Sequence, residues 1–347
     1  GRMKSDEVFF PLEPLYKRKG IGYKQAKVIS FHPEGDATET KGFVTIEHIF
    51  GKNAGVQEKV NYDYLINATG PKLAFELTEG LNPGTNKAYS VCTYEHAAHA
   101  SEALLKLIGD IKTSDKKAKI LIGTGHAKAT CQGAAFEYIL NVEKELVRYG
   151  VRDKIELTWI SNENELGDFG MDGMLLTYGN QTLKSSELVE MVFADHGIKW
   201  ILGAGVFKID EGKAHYENLE GEYKEEDFDF AMLIPSFSGH GFKAFDKNEN
   251  DITDKLFKGF MIVDADYTSK PYEEWTVQDW PETYQNPNYA NIFAPGIAFA
   301  PPHSISKPRK SKNGTDIFPS PPRTGMPSGI TAKLVADNII ETIKNGK

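Results

Sequence analysis

The 347-residue chain carries two cysteines, and both stand where a thiol could do chemistry. Cys92 directly precedes Thr93, a helix-capping residue type, ahead of a run in which Ala97, Ala100, Leu104, Leu107 and Ile111 recur at spacings of three and four. Cys131 directly precedes a second run, marked by Phe136, Ile139, Leu140, Glu143 and Val147 and closed by Gly150. A helix N-terminus favours thiolate over thiol, so this placement predicts two low-pKa, nucleophilic sulfurs. Spacing by itself favours the plainer reading of two inert core thiols, since cysteine is among the most buried residue types. His96 and His126 lie close by in sequence and have the chemistry to tune a thiol or move a proton.

Two glycine-bearing segments could approach a phosphate or a flat ligand. Gly123-Thr124-Gly125 follows the apolar stretch Lys119-Ile120-Leu121-Ile122 and precedes a helix, as a nucleotide-binding turn does. A complete G-x-G-x-x-G would need glycine where Lys128 stands, so a close-packed turn explains the pair equally well. Asn67-Ala68-Thr69-Gly70-Pro71 closes another strand with small residues that let backbone come near a partner. No H-E-x-x-H, G-x-S-x-G or Walker A pattern occurs, and two cysteines cannot build a Cys-rich metal centre, so no metal site is expected.

The elements that position these residues alternate between strand and helix. Lys119–Ile122, the helix to Gly150 and the strand Ile155–Ile160 make a β-α-β unit, which implies a parallel sheet with a right-handed crossover. A helix at Ser185–His196 leads to a strand at Ile198–Gly203, and Phe230–Pro235 reads as a buried strand. Strands at Ala26–Phe31, Gly42–Phe50 and Lys59–Asn67 suggest a small meander; Gly205–Asp210 and Lys213–Asn218 suggest another. Asn291–Ala294 and a helix at Thr331–Ile343 close the chain. Ser304–Pro322, dense in lysine, arginine and proline, reads by composition as a mobile surface loop.

Lys+Arg 40 against Asp+Glu 49 gives a net charge of −9, which argues against a general nucleic-acid binder. No apolar run reaches the ~18 residues of a membrane span. The length is ample for more than one core, with about two domains as the starting expectation.

Taken together, several stretches resemble the sulfide:quinone oxidoreductase family. Ile66-Asn67-Ala68-Thr69-Gly70-Pro71-Lys72-Leu73 followed by Ser90-Val91-Cys92-Thr93-Tyr94-Glu95-His96-Ala97 is similar to that family's "ATGPKL … SVC-x-x-x-HA" signature. Cys131–Glu137 resembles its second cysteine motif. Met232–Pro235, Asn291–Pro302 and Pro322-Arg323-Thr324-Gly325-Met326-Pro327 resemble later signatures in the same order. The resemblance implies an α/β fold with two Rossmann-like FAD/NAD(P)-binding lobes, parallel sheets and small β-meander inserts, the FAD lobe incomplete at its N-terminus. Its expected divisions are 1–112 for a partial FAD domain, 113–235 for a second dinucleotide-binding-like domain, and 236–347 for a return to the FAD domain.

The resemblance also implies chemistry: sulfide oxidised through a cysteine-bound sulfur adduct, with electrons passed through FAD to quinone. Cys131 would hold the sulfur and Cys92 would be an accessory thiol or a flavin-attachment site. Ala68, Thr69, Gly70, Pro71, Gly296 and Ile297 would line the FAD, Thr324 and Gly325 would lie near its ring system, and Gly123 and Gly125 would serve the second dinucleotide turn. Sulfide and quinone are the implied substrates, the location cytoplasmic or peripheral on a membrane, with a homo-oligomer and lipid contact left open and nucleic acid excluded.

The chain departs from the family pattern in three places. Ala298 stands at or beside the third cysteine position. The complete glycine fingerprint for the FAD pyrophosphate would lie upstream of Gly1, and amphipathic C-terminal segments would lie past Lys347. These departures imply an incomplete or inactive form with weak or absent FAD. They keep two alternatives open, an NAD(P)H-dependent FAD oxidoreductase without sulfide activity and a non-catalytic remnant.

Overall fold

The computed structural model describes residues 7–114 and 116–345. Its helices are α1 (Leu12–Arg18), α2 (Tyr94–Lys112), α3 (Gln132–Tyr149), α4 (Ser185–Asp195), α5 (Thr253–Leu256) and α6 (Gly325–Asn345). The residues group into two compact units. One holds Leu73–Phe237 and His303–Arg323; the other holds residues 7–72, Ser238–Pro302 and 324–345.

The first unit is organised by a five-stranded sheet. Its order is Ile198–Ile201, Ile155–Ile160, Ala118–Thr124, Phe230–Ile234, Ala88–Tyr89, with every neighbour parallel. Parallel strands need helical crossovers, and the helices bury one sheet face. Ala100, Leu104, Ile108 and Ile111 of α2 share a core with Ala135, Ile139, Val142 and Leu146 of α3 and with Trp159 and Phe193. The opposite face is covered by an antiparallel meander, Gly205–Asp210, Lys213–Glu217 and Tyr223–Asp227, whose Val206, Ile209 and Ala214 pack with Leu121, Ala231 and Leu233. The strongly apolar strands Ala118–Thr124 and Phe230–Ile234 are buried from both sides, as central parallel strands should be.

The α/β class and the parallel β-α-β unit agree with expectation. Thr93 caps α2 by accepting the His96 N–H at 3.2 Å, and Gly150 ends α3 in a left-handed conformation at φ +70. The meander gains a third strand, Tyr223–Asp227, which its run of charges hides from periodicity. A hairpin at Leu175–Tyr178 and Gln181–Lys184 was not anticipated.

The Ser304–Pro322 segment corrects its reading as a loose loop. It forms a strap stitched to the rest of its unit: Phe318 N donates to Ala127 O at 3.1 Å, Ser320 N to Ala129 O at 3.1 Å, and Thr130 Oγ1 to Pro321 O at 2.8 Å. Ser306 Oγ donates to Asp168 and Ser311 Oγ to Glu217, while Ile317 and Phe318 are buried. The basic residues that suggested mobility lie between these fastenings.

The second unit pairs Ala26–His32 with Phe43–His48 and Gln57–Asn61 in antiparallel fashion, and with Lys243–Ala244 in parallel. Phe31, Val44, Ile46, Leu256, Met261, Ile292 and Ala298 belong to its core. The expected strand at Lys59–Asn67 is broken: its end, Leu65–Ile66, leaves the meander and runs parallel to Ile292–Phe293. The last helix, α6, begins six residues before its expected start, because Pro327 falls in the first turn, where a missing N–H costs nothing.

Candidate functional site

In the second unit, one pair of short strands gathers most of the candidate cofactor residues. Leu65↔Ile292 and Ile66↔Phe293 are in register, and Asn67 N donates to Phe293 O at 2.7 Å. Both strands run the same way, so Ala68-Thr69-Gly70-Pro71 and Gly296-Ile297 leave from one carboxyl edge, where parallel sheets bind ligands. Asn67 is buried, and its Oδ1 accepts from Thr69 N and Thr69 Oγ1, which fixes the turn. Gly70 is left-handed at φ +70 with open space where a side chain would begin, leaving its backbone accessible. Gly296, also left-handed, packs so closely on Ser328 that a Cβ would lie 2.9 Å from Oγ, and its N–H donates to Thr331 Oγ1 at 2.9 Å. That contact anchors the start of α6, which carries Gly325 at its first position, against the same edge. A cavity of about 440 Å³, lined by Val28, Ile29, Thr69, His240 and Phe242 among others, opens beside Thr69.

The sulfurs belong to the first unit. Cys131 is the N-cap of α3, in a left-handed conformation at φ +65 that a non-glycine residue adopts at a cost. Its Sγ–H donates to the Arg323 carbonyl at 3.1 Å, so the strap sits directly on the thiol. The turn ahead of it is held by Asn162, whose Nδ2 donates to Ala127 O and Ala129 O, and by Gln132 Nε2, which donates to Ala129 O. Cys92 is half-buried and packs against the core cluster that contains Cys131.

The expectation of low thiol pKa values is not met. Burial pushes the Cys131 thiol up to about 11 and also raises Cys92. The positive end of α3 acts on Cys131, but removal from water penalises the thiolate more strongly. Arg323 is buried as well, and burial draws its guanidinium down to about 10. Neither histidine's Nδ1 is bonded to a thiol. His126 Nδ1 accepts from Lys128 N at 3.0 Å, and His96 Nδ1 has no hydrogen-bond partner among the described residues.

Gly123 and Gly125 lie at the end of the Ala118–Thr124 strand and just after it. A Cβ on Gly123 would fall 1.7 Å from Ile160 O, and one on Gly125 would fall 2.6 Å from Leu81 Cδ2. Close packing against backbone therefore demands glycine at 123, whereas at 125 the nearest atom is the end of the Leu81 side chain. Lys128, which interrupts the fingerprint, lays its Nζ 3.2 Å from the centre of the Phe318 ring, under the strap. Arg323, within the Pro322–Pro327 motif, neighbours Cys131 through a bond that spacing does not reveal.

No family model matches the chain. The sulfide-quinone reductase of Aquifex aeolicus (strain VF5) is 30% identical over 345 residues, covering 99% of this chain and 66% of that protein. The X-ray structure of the sulfide:quinone oxidoreductase from the same bacterium superposes with a TM-score of 0.72 over 99% of this chain and 66% of that one, at 30% identity.

The chain belongs to the sulfide:quinone oxidoreductase family.

The mitochondrial sulfide:quinone oxidoreductase of Dictyostelium discoideum is 25% identical over 218 residues, covering 60% of this chain and 43% of that protein. A NAD-dependent persulfide reductase from A. fulgidus shares the fold, with a TM-score of 0.52 at 16% identity over 94% of this chain and 46% of that one. This sulfide:quinone oxidoreductase family chain thus spans 66% and 43% of the two curated relatives. No group of metal-ligating side chains occurs among the described residues, and none of the described helices is long and apolar enough to cross a membrane.

Proposed function

We propose that this chain is the sulfur-handling and flavin-lining part of an oxidoreductase that takes electrons from sulfide and delivers them through FAD to a quinone. The observation that carries the reading is the parallel strand pair Leu65–Ile66 and Ile292–Phe293, whose common edge presents Thr69, Gly70, Gly296 and Ile297 together. The residues fit a dinucleotide: Gly70 offers bare backbone beside a cavity, and the start of α6 supplies free N–H groups for a polar ring edge or a phosphate. Bound there, FAD would supply the two-electron acceptor.

The chain's own residues do the rest. Cys131 is the nucleophilic sulfur, held by its left-handed backbone and by the strap. At neutral pH it is a thiol, so sulfur transfer requires its proton to leave first. The buried guanidinium of Arg323 favours that loss electrostatically.

The alternative, an NAD(P)H-dependent FAD oxidoreductase, would seat a nucleotide at Gly123 and Gly125. Ile160, Leu81 and the strap residues Phe318 and Ser320 take up the space around that turn, which weighs toward sulfide as the donor. The deciding experiment uses the full-length protein. Sulfide is expected to bleach its flavin absorbance under anaerobic conditions, and Cys131→Ser to abolish the bleaching. Bleaching by NADH with none by sulfide would establish the alternative, and a colourless full-length protein would establish a non-catalytic remnant.

A further inference from the structure

The turn that leads to Cys131 is held from the neighbouring strand. Gly123 pairs with Ile160, and Asn162 follows two residues later at the same carboxyl edge. Its backbone N donates to Thr124 Oγ1 at 3.1 Å, which fixes where its side chain starts. The side-chain nitrogen carries two hydrogens and meets two carbonyls, Ala127 O at 3.0 Å and Ala129 O at 3.1 Å. Asn162 Oδ1 accepts from Gln132 Nε2 at 2.9 Å, and the same Nε2 donates to Ala129 O at 3.1 Å. Backbone carbonyls only accept, so both amides stand in one orientation. Asn162 is 1% exposed and Gln132 0%, which leaves no room for bulk water to replace these bonds. From the other side, Phe318 N and Ser320 N of the strap donate to the same two carbonyls. Cys131 comes two residues after the second of them, in its left-handed conformation.

We propose that Asn162 is a positioning residue for the sulfur chemistry: its carboxamide holds the Ala127–Ala129 turn so that Cys131 stays left-handed with its Sγ on the Arg323 carbonyl. This rests on the proposed sulfur role of Cys131 only for its kinetic consequence. Without the clamp, residue 131 relaxes toward right-handed backbone, the ordinary state of a non-glycine residue. Its side chain then leaves Arg323 O, gains access to water and no longer meets an incoming sulfur in a fixed direction. Besides burial, the ionisable groups that act on the Cys131 thiol are Cys92 and Arg323. Asn162 carries no charge, so its influence on the thiol runs through geometry.

The test is Asn162→Asp, which keeps the side-chain shape and replaces the donor nitrogen with oxygen. Iodoacetamide labelling of the folded full-length protein is followed separately on the Cys131 and Cys92 peptides, with urea unfolding in parallel. Cys131 is expected to react about tenfold faster at pH 8, with Cys92 unchanged. The midpoint of the Cys131 rate against pH is expected to fall from about 11 toward that of an exposed thiol. An unchanged Cys131 rate would overturn the proposal, as would equal acceleration of both cysteines, the mark of general loosening. Should Asn162→Asp fail to fold, Gln132→Met removes the other amide and is expected to speed Cys131 alone by a smaller factor; no change there would also overturn it. Asn162→Asp is expected to slow sulfide bleaching about tenfold at saturating sulfide, with the half-saturating concentration unchanged. Undiminished bleaching would remove Asn162 from the reaction. A parent protein whose flavin ignores sulfide would remove the sulfide reading, while the labelling rates still decide the clamp.

Discussion

The Cys131 thiol donates to the backbone carbonyl of Arg323 at 3.1 Å, joining the N-cap of α3 to the residue that directly follows the strap, 192 positions further along the chain. Both residues are buried, and the thiol's proton is held where water cannot readily take it.

Alkylation should report this directly. With burial raising Cys131 to about 11, its thiolate fraction at pH 8 is roughly a hundredfold below that of an exposed thiol. Iodoacetamide modification of the Cys131 peptide, followed by mass spectrometry, is expected to be slow at pH 8 and to accelerate about tenfold per pH unit up to 11. The linked stability effect has a definite sign. The native thiol keeps a proton that the unfolded chain loses from about pH 9, so stability falls as pH rises from about 9 to about 11. Cys131→Ala should flatten that decline in urea-unfolding midpoints; an equally steep decline in the variant would assign it to other groups.

Gly70 and Gly123 make a contrasting pair. Alanine at Gly70 meets open space and pays only for its left-handed backbone, roughly 1 kcal/mol. At Gly123 alanine would drive a methyl into the Ile160 carbonyl and split two central parallel strands, at a cost above about 3 kcal/mol. Denaturant unfolding of Gly70→Ala and Gly123→Ala should separate the two by at least twofold in lost stability. Equal losses would contradict the packing described for Gly123.

The strap's attachment through Ser306 is open to a protease. Ser306 Oγ donates to buried Asp168, which also accepts from Gly170 N at 2.9 Å and Asp172 N at 3.2 Å. Ser306→Ala removes one donor from a buried carboxylate, worth roughly 1–3 kcal/mol locally. Trypsin should then cut at Arg309, Lys310 and Lys312 several-fold faster than in the parent chain, as followed by the release of strap peptides. An unchanged cleavage rate would mean that Ser306 does not fasten the strap.

Much of this architecture was legible in the residues themselves. The buried strand Ile155–Ile160, the capped helix at Thr93 and the left-handed Gly150 follow from periodicity and end chemistry, which are local. The strap was not legible, because its fastenings are long-range bonds from Ser306, Thr130 and Phe318 that composition does not encode. The candidate site divides the same way. Gly70 and Gly296 were named from motifs, but only the parallel pairing of their strands puts them on one edge. The thiols follow from spacing, whereas their raised pKa values come from burial, which spacing does not show. The split of Lys59–Asn67 between two sheets was hidden for a related reason, since both halves have the same strand-like alternation.

The strap has a consequence for biosynthesis. Every strand and helix of the parallel sheet that carries Cys131 is translated by Phe237, but the segment that covers this thiol is complete only at Arg323. At ordinary rates of about 5–20 residues per second, that leaves roughly ten seconds of elongation in which the sheet can form while its carboxyl edge stays uncovered. During that interval Cys131 lacks its carbonyl acceptor and part of its burial. The nascent chain therefore passes through a stage at which the more buried of its two cysteines is not yet covered.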